Sequence, residues 1–507
     1  MKTSGALTAL VTAALLCSIV ATAHAGDNNT HPGTGTGKLV TTKHRITAGS
    51  VRLNYTTTAG WLILKRDDGQ ERSRIFFVAY EKTGGTKKDR PISFAFNGGP
   101  GSSSVWLHLG ALGPRRVRLN PDGSAPPPPA ELVDNEHTWL AFTDLVFIDP
   151  VGTGYSRAAD VKKEQEFFNF REDIASVGDV IRLYLTRAGR WHSPKYLVGE
   201  SYGTTRAVGL LDYLHQQHGI ALNGIVLISP VLDFNTIDFS PSNDLPYLLF
   251  LPSYAAAAWY HKKIPQHDEP LETFLKGVET WAVRDYCSIL AHGRTLASDE
   301  RQTAALQLHT FTSILPEYFL KSDLRCSSSR FCKELLRNQQ RIIGRMDSRI
   351  TMPDTDTAGE AASCDPSLER LVGAFAGAIN HYVRSELQFQ EDTPYKYLNY
   401  SVSKTWDWRT GIEHGQGYVS LSKTLADALH LHEHLRVFIA AGYYDLATPY
   451  FATRYTVNHL QLEGSRAGQV MLHCYYGGHM LYTDAASLQR LTQDAATFYR
   501  GGYADHP

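Results

Sequence analysis

Gly199-Glu200-Ser201-Tyr202-Gly203 sets a serine between two glycines, after the apolar run Tyr196–Val198 and before a helical pattern over Thr204–Tyr213. A strand, a sharp turn and a helix hold a serine hydroxyl outward, and the flanking glycines allow the crowded turn. Such a hydroxyl is a weak nucleophile until a base removes its proton. Two later segments supply the rest of that chemistry. Leu435–Ala441 reads as a buried parallel strand and runs into Gly442-Tyr443-Tyr444-Asp445. Val470–Tyr476 reads as another strand and ends in Gly477-Gly478-His479-Met480. Imidazole takes a proton near neutral pH, and a buried carboxylate fixes its tautomer and steadies the imidazolium. His479 stands out among 21 histidines by its glycine-rich position at a strand end and its place after Asp445. Upstream, the strand Pro91–Phe96 leads into Asn97-Gly98-Gly99-Pro100-Gly101. Backbone N–H groups exposed there, with one from the residue after Ser201, would stabilise a tetrahedral oxyanion.

The elements that must position these residues alternate. Strands are expected at Ile92–Phe96, Leu145–Ile148, Tyr196–Val198 and Ile225–Ile228, with helices between them. The order serine, acid, histidine on loops leaving sheet strands predicts an α/β-hydrolase fold, a mixed, mostly parallel central sheet flanked by helices. A hairpin of Gly60–Lys65 and Ser73–Tyr80 precedes it, turning at Asp67-Asp68-Gly69. The core is expected over residues 46–239 and 416–507, with 240–415 as a helix-rich cap insertion that shapes the pocket.

Four blocks resemble the serine carboxypeptidases. They are Asn97-Gly98-Gly99-Pro100-Gly101 with Ser103-Ser104, Asp149-Pro150-Val151-Gly152-Thr153-Gly154-Tyr155-Ser156, Gly199–Gly203, and Gly478-His479-Met480. They fall in the family's order over roughly residues 60–500. The resemblance implies a triad of Ser201, Asp445 and His479. It implies oxyanion N–H groups at Gly99 and Tyr202, and Asn97, Gly98 and Glu200 on the substrate's terminal carboxylate. Two positions depart from the pattern. Ser102 stands where the family usually has a cysteine. Ala111 stands where it usually has a glutamate that shares a proton with the residue matching Glu200. Without that partner, Glu200 is expected to ionise at a more ordinary pH. Activity is then expected to extend toward neutrality.

Lys2, the apolar stretch Ala6–Val20 and Ala23-His24-Ala25 form a signal-peptide pattern over residues 1–25, which predicts a secreted or periplasmic protein. Residues 26–45 are rich in Gly, Thr and Asn and are expected to form a flexible leader. No later stretch is long enough to span a bilayer. A formal net charge of −1 gives no sign of a nucleic-acid partner. Of the six cysteines, Cys17 lies in the signal-peptide pattern. Cys474 falls in a core strand and is expected as a buried thiol. Cys287, Cys326, Cys332 and Cys364 cluster, and one arrangement joins Cys326 to Cys332 and Cys287 to Cys364. The spacing leaves that connectivity open.

Other motifs carry less. His430, His432 and His434 decorate a helix end without an H-E-x-x-H pattern, so no metal site is expected. Gly152–Arg157 lacks the final small residue of a dinucleotide turn. Trp406-Asp407-Trp408 is expected to pack in the core, and no cofactor is implied. The reading that follows is a carboxypeptidase acting on peptide or protein substrates. The alternatives are a prolyl-type aminopeptidase or an esterase or acyltransferase on the same triad, and a binding protein on a hydrolase fold. The sequence says nothing of oligomeric state.

Overall fold

The structure is a computed structural model that describes residues 37–265, 269–408 and 418–501. The signal-peptide segment lies outside these residues. The main sheet is built from β1 (Leu39–Ala48), β2 (Val51–Lys65), β3 (Glu71–Lys82), β4 (Ile92–Phe96), β5 (Asp144–Ile148), β6 (Lys195–Glu200), β7 (Gly224–Ile228), β8 (Arg436–Gly442) and β9 (Val470–Tyr475). Their order is β1-β2-β3-β5-β4-β6-β7-β8-β9, and the short strand Arg157–Ala158 also pairs with β3. β5, β4, β6, β7, β8 and β9 are mutually parallel, whereas β1, β2 and β3 join antiparallel.

The parallel strands β4, β5 and β7 are buried along their whole length, as the unbroken apolar runs predicted. Successive residues feed opposite faces. Ala95, Val226 and Phe438 join one core layer, and Phe94, Leu227 and Val437 join the other. Helix α1 (Phe170–Ala188) starts at Asn169, whose side chain accepts from Glu172 N–H, and ends at left-handed Gly189. Helix α2 (Tyr202–His218) starts at Ser201 and ends at left-handed Gly219. Both bury their apolar faces in the second layer.

Three expectations change. The leader expected over 26–45 contains an edge strand from Leu39 onward. β1 pairs with β2 in ten consecutive registered pairs and buries Ile46 and Ala48. Its alternating, polar-rich face disguises it as a flexible tail. The insertion also divides. Leu248–Ile343 carries its own apolar core, shared with Tyr443, Tyr444 and Leu446 just after β8. By contrast, helix α3 (Pro366–Ser385) buries Leu371, Phe375, Ile379 and Tyr382 in the first layer of the main sheet, and Trp406 packs in the second.

The cysteines are the third change. Neither Cys326–Cys332 nor Cys287–Cys364 forms a bridge, and all five described cysteines are free thiols. Their surroundings differ: Cys287 is exposed, Cys326 and Cys332 are buried in the insertion's core, and Cys364 Sγ lies 3.5 Å from Met352 Sδ. Cys474, on edge strand β9, is only partly covered rather than fully buried.

Candidate active site

Ser201 links β6 to α2 with φ 59° and ψ −130°, a conformation a residue with a Cβ rarely adopts. Its N–H bonds Ile228 O at 3.0 Å, which ties the turn to the neighbouring strand. A Cβ on Gly199 would lie 2.2 Å from Gly203 O. The elbow closes only because that position has no side chain.

His479 and Asp445 come from the loops after the two last strands. His479 Nδ1 donates to Asp445 Oδ2 at 2.8 Å, so the opposite ring nitrogen, Nε2, is the one free to act as base. Both residues are buried. The Asp445 carboxylate is held on every side. Oδ1 accepts from Ala447 N–H at 2.7 Å and Thr448 N–H at 3.0 Å, and Oδ2 accepts from Thr448 Oγ1 at 2.9 Å. The histidine backbone is pinned as well: its N–H donates to Met346 O and its carbonyl accepts from Ser229 Oγ, each at 2.6 Å. Burial pulls the His479 pKa down. The Asp445 charge and hydrogen bond, with the Glu200 charge, outweigh it and leave the pKa raised.

The glycine block packs on the elbow. A Cβ on Gly98 would lie 2.5 Å from Tyr202 N. The backbone of Asn97–Gly99 therefore abuts the first N–H of α2, which has no acceptor within its own helix. The two N–H groups expected to receive an oxyanion, those of Gly99 and Tyr202, thus sit on adjoining stretches of backbone. Sequence reasoning missed what fixes it. Arg206, on the buried side of α2, donates from Nη1 to Asn97 O at 2.7 Å and pairs through Nε with Asp173 Oδ2 at 2.8 Å. Tyr202 Oη donates to the same Asp173 oxygen at 3.1 Å. Arg206 and Asp173 are 1% and 3% exposed at their side chains, so removing one leaves the other buried and uncompensated. Arg206→Met is expected to lower the unfolding free energy by ~3–5 kcal/mol, read by chemical denaturation. The legible clue was a charged residue at an inward helical position.

Asn97, Gly98, Gly99, Glu200, Ser201 and His479 line one cavity of about 170 Å³, and Tyr202 joins them. Asp445 lies behind His479. Trp106, Val231, Phe234, Ile237 and Met480 form an apolar wall. Arg345, an exposed cation that sequence reasoning did not single out, also borders it. Burial pushes the Glu200 carboxyl up to about 7, offset in part by His479, Tyr482 and Asn97. Glu200 thus departs from the ordinary carboxyl expected of it: burial, with a smaller push from the Asp445 charge, raises it. Tyr482, also unforeseen, donates to Glu200 Oε2 at 2.6 Å.

A profile of the serine carboxypeptidase family matches residues 49–473. Serine carboxypeptidase-like 45 of Arabidopsis thaliana is 26% identical over 41% of this chain and 44% of its own length. The rat retinoid-inducible serine carboxypeptidase is 30% identical over 37% of this chain and 41% of its own. This chain thus spans less than half the length of these relatives. Among solved structures, the prohormone-processing carboxypeptidase Kex1 of Saccharomyces cerevisiae superposes with a TM-score of 0.54 at 18% identity. That superposition covers 88% of this chain and 91% of Kex1, a likeness of fold.

Proposed function

The chain belongs to the serine carboxypeptidase family, and from that premise we propose that it removes C-terminal residues from peptides through an acyl-enzyme. The observation that carries this reading is a single cavity that joins Ser201 and His479 to Asn97, Gly98 and the buried carboxyl of Glu200. Ser201 Oγ attacks the last peptide carbonyl while His479 Nε2 takes its proton. Asp445 holds the imidazole and steadies its charge. The N–H groups of Gly99 and Tyr202 receive the oxyanion. The proton passes from His479 to the departing amino acid. Water, deprotonated by His479, then releases the shortened peptide and frees Ser201. Asn97, Gly98 N–H and a protonated Glu200 receive the terminal carboxylate. The apolar wall favours apolar side chains beside the scissile bond. The signal-peptide pattern supports a role outside the cytoplasm, and no described helix is long and apolar enough to cross a membrane.

The test uses one peptide with a free, amidated or N-blocked end, followed by mass spectrometry. Shortening at the free C-terminus supports the reading. Loss from the N-terminus only, or indifference to amidation, assigns the triad to another hydrolase reaction. The pH dependence follows from two groups. Below its pKa, His479 is charged and takes no proton, so kcat/KM rises as it deprotonates. Above about 7, Glu200 is charged and repels a carboxylate, so kcat/KM for free-acid peptides falls. The two sites interact, so the limbs belong to the pair. A narrow bell near neutrality is expected for the free acid. The amide should lack the alkaline limb. Identical profiles for both substrates would remove Glu200 from carboxylate binding.

A further inference from the structure

Glu200 is a buried acid that, among the described residues, bonds no second carboxyl, yet it has a fixed partner. Tyr482 lies in the short helical turn Leu481–Thr483, which begins two residues after His479. The ring is fully buried, and its hydroxyl is 2.6 Å from Glu200 Oε2. Room for it comes from the buried π-helical turn His108–Leu112. A Cβ on Gly110 would lie 2.7 Å from Tyr482 Cε2, so the ring packs flush on that glycine, next to Ala111. The Asn97 side chain lies near enough to act on both this hydroxyl and Glu200. One compact polar cluster, Asn97–Glu200–Tyr482, therefore backs the cavity beside Ser201.

We infer that Tyr482 is the positioning residue for terminal-carboxylate recognition: its hydroxyl takes the place of a second carboxyl and holds Glu200 oriented toward the substrate. The inference rests on the carboxypeptidase reading above. The chemistry differs from a shared-proton pair in one respect. Burial holds the Tyr482 phenol protonated far above the neutral range, so it remains a donor throughout. Glu200 alone titrates in the clamp. Its charged neighbours are His479 and Asp445, with Arg345 acting on His479. Tyr482 donates to Oε2, leaving the other carboxyl oxygen to carry the proton toward a bound carboxylate.

Tyr482→Phe keeps the ring on Gly110 and removes one hydroxyl. The experiment measures kcat and KM for a free-acid peptide and its amide across pH. Active sites are counted by stoichiometric fluorophosphonate labelling, so that any unfolded fraction drops out. KM for the free acid is expected to rise roughly 10- to 100-fold with kcat nearly unchanged, the size of a hydrogen bond to a charged or ionisable group. The amide should be unaffected. The alkaline limb should move to higher pH, because the lost donor favoured the ionised carboxyl. In a Glu200→Gln background, Tyr482→Phe should add little, since it acts through Glu200. Equal losses on both substrates, an unmoved alkaline limb, or additive effects in the double variant would overturn the inference. Wild type that ignores amidation would instead fail the carboxypeptidase reading itself.

Discussion

Ser201→Ala is expected to abolish peptide hydrolysis, lowering kcat by ~10⁴-fold or more, with folding unchanged. His479→Ala should fall to a similar level, and the double variant should be hardly worse, because nucleophile and base act as one unit. The size follows from the site. Ser201 is held in a strained conformation (φ 59°), a cost retained only where the surrounding structure fixes it. Gly199 and Ile228 fix it here. Alanine at 201 keeps that backbone and loses only the hydroxyl. On the proposed reading, what should survive is transition-state binding by the Gly99 and Tyr202 N–H groups, which is modest without a nucleophile. The check is single-turnover kinetics on a free-acid peptide, with circular dichroism and thermal unfolding as controls. An alanine variant that retained more than about a tenth of wild-type kcat would end the triad reading.

Much of this site could be read in the chain because strands and glycines carry strong local signals. The short apolar-rich runs of β4 to β9 marked the parallel sheet. Glycines at 98, 199 and 203 marked places where two backbones meet. The unforeseen residues are those whose partners lie far away in sequence. Ser229 reaches His479 across 250 positions, and Tyr482 reaches Glu200 across 282. Arg206 looked like an ordinary helical arginine until Asp173 was placed beside it. β1 was hidden for a different reason. An edge strand needs only one apolar face, and its other face matched the polar composition of a leader. The fate of Ala111 shows the limit of reasoning by one missing partner. The absent glutamate suggested an ordinary Glu200, whereas enclosure, a three-dimensional property, raised it to about 7. The cysteine cluster failed similarly, since proximity along the chain did not bring the sulfurs into pairs.

Asp445→Asn is expected to reduce kcat by ~10³- to 10⁴-fold while leaving the fold intact. The direction of the amide decides this. Asp445 Oδ1 accepts two backbone N–H groups, from Ala447 at 2.7 Å and Thr448 at 3.0 Å. Neither can be turned away, so an asparagine must place its carbonyl oxygen there and its NH₂ toward His479 Nδ1. A donor facing Nδ1 forces the imidazole into the tautomer whose proton sits on Nε2. That nitrogen, the one Asp445 does not hold, then has no lone pair to take the Ser201 proton. Loss of the Asp445 charge also removes the largest influence raising the His479 pKa. The acid limb of the residual activity should therefore move to lower pH. Thr448 Oγ1, 3.2 Å from His479 Nδ1, lies 2.9 Å from both Asp445 Oδ2 and Ser229 O, so its single proton can turn from the first to the second and the loop need not shift. Steady-state kinetics from about pH 5 to 9, with NMR of the imidazole N–H, measure both consequences. A loss smaller than about 10-fold, with the Nδ1 proton still present, would show that Asp445 is not what fixes the base.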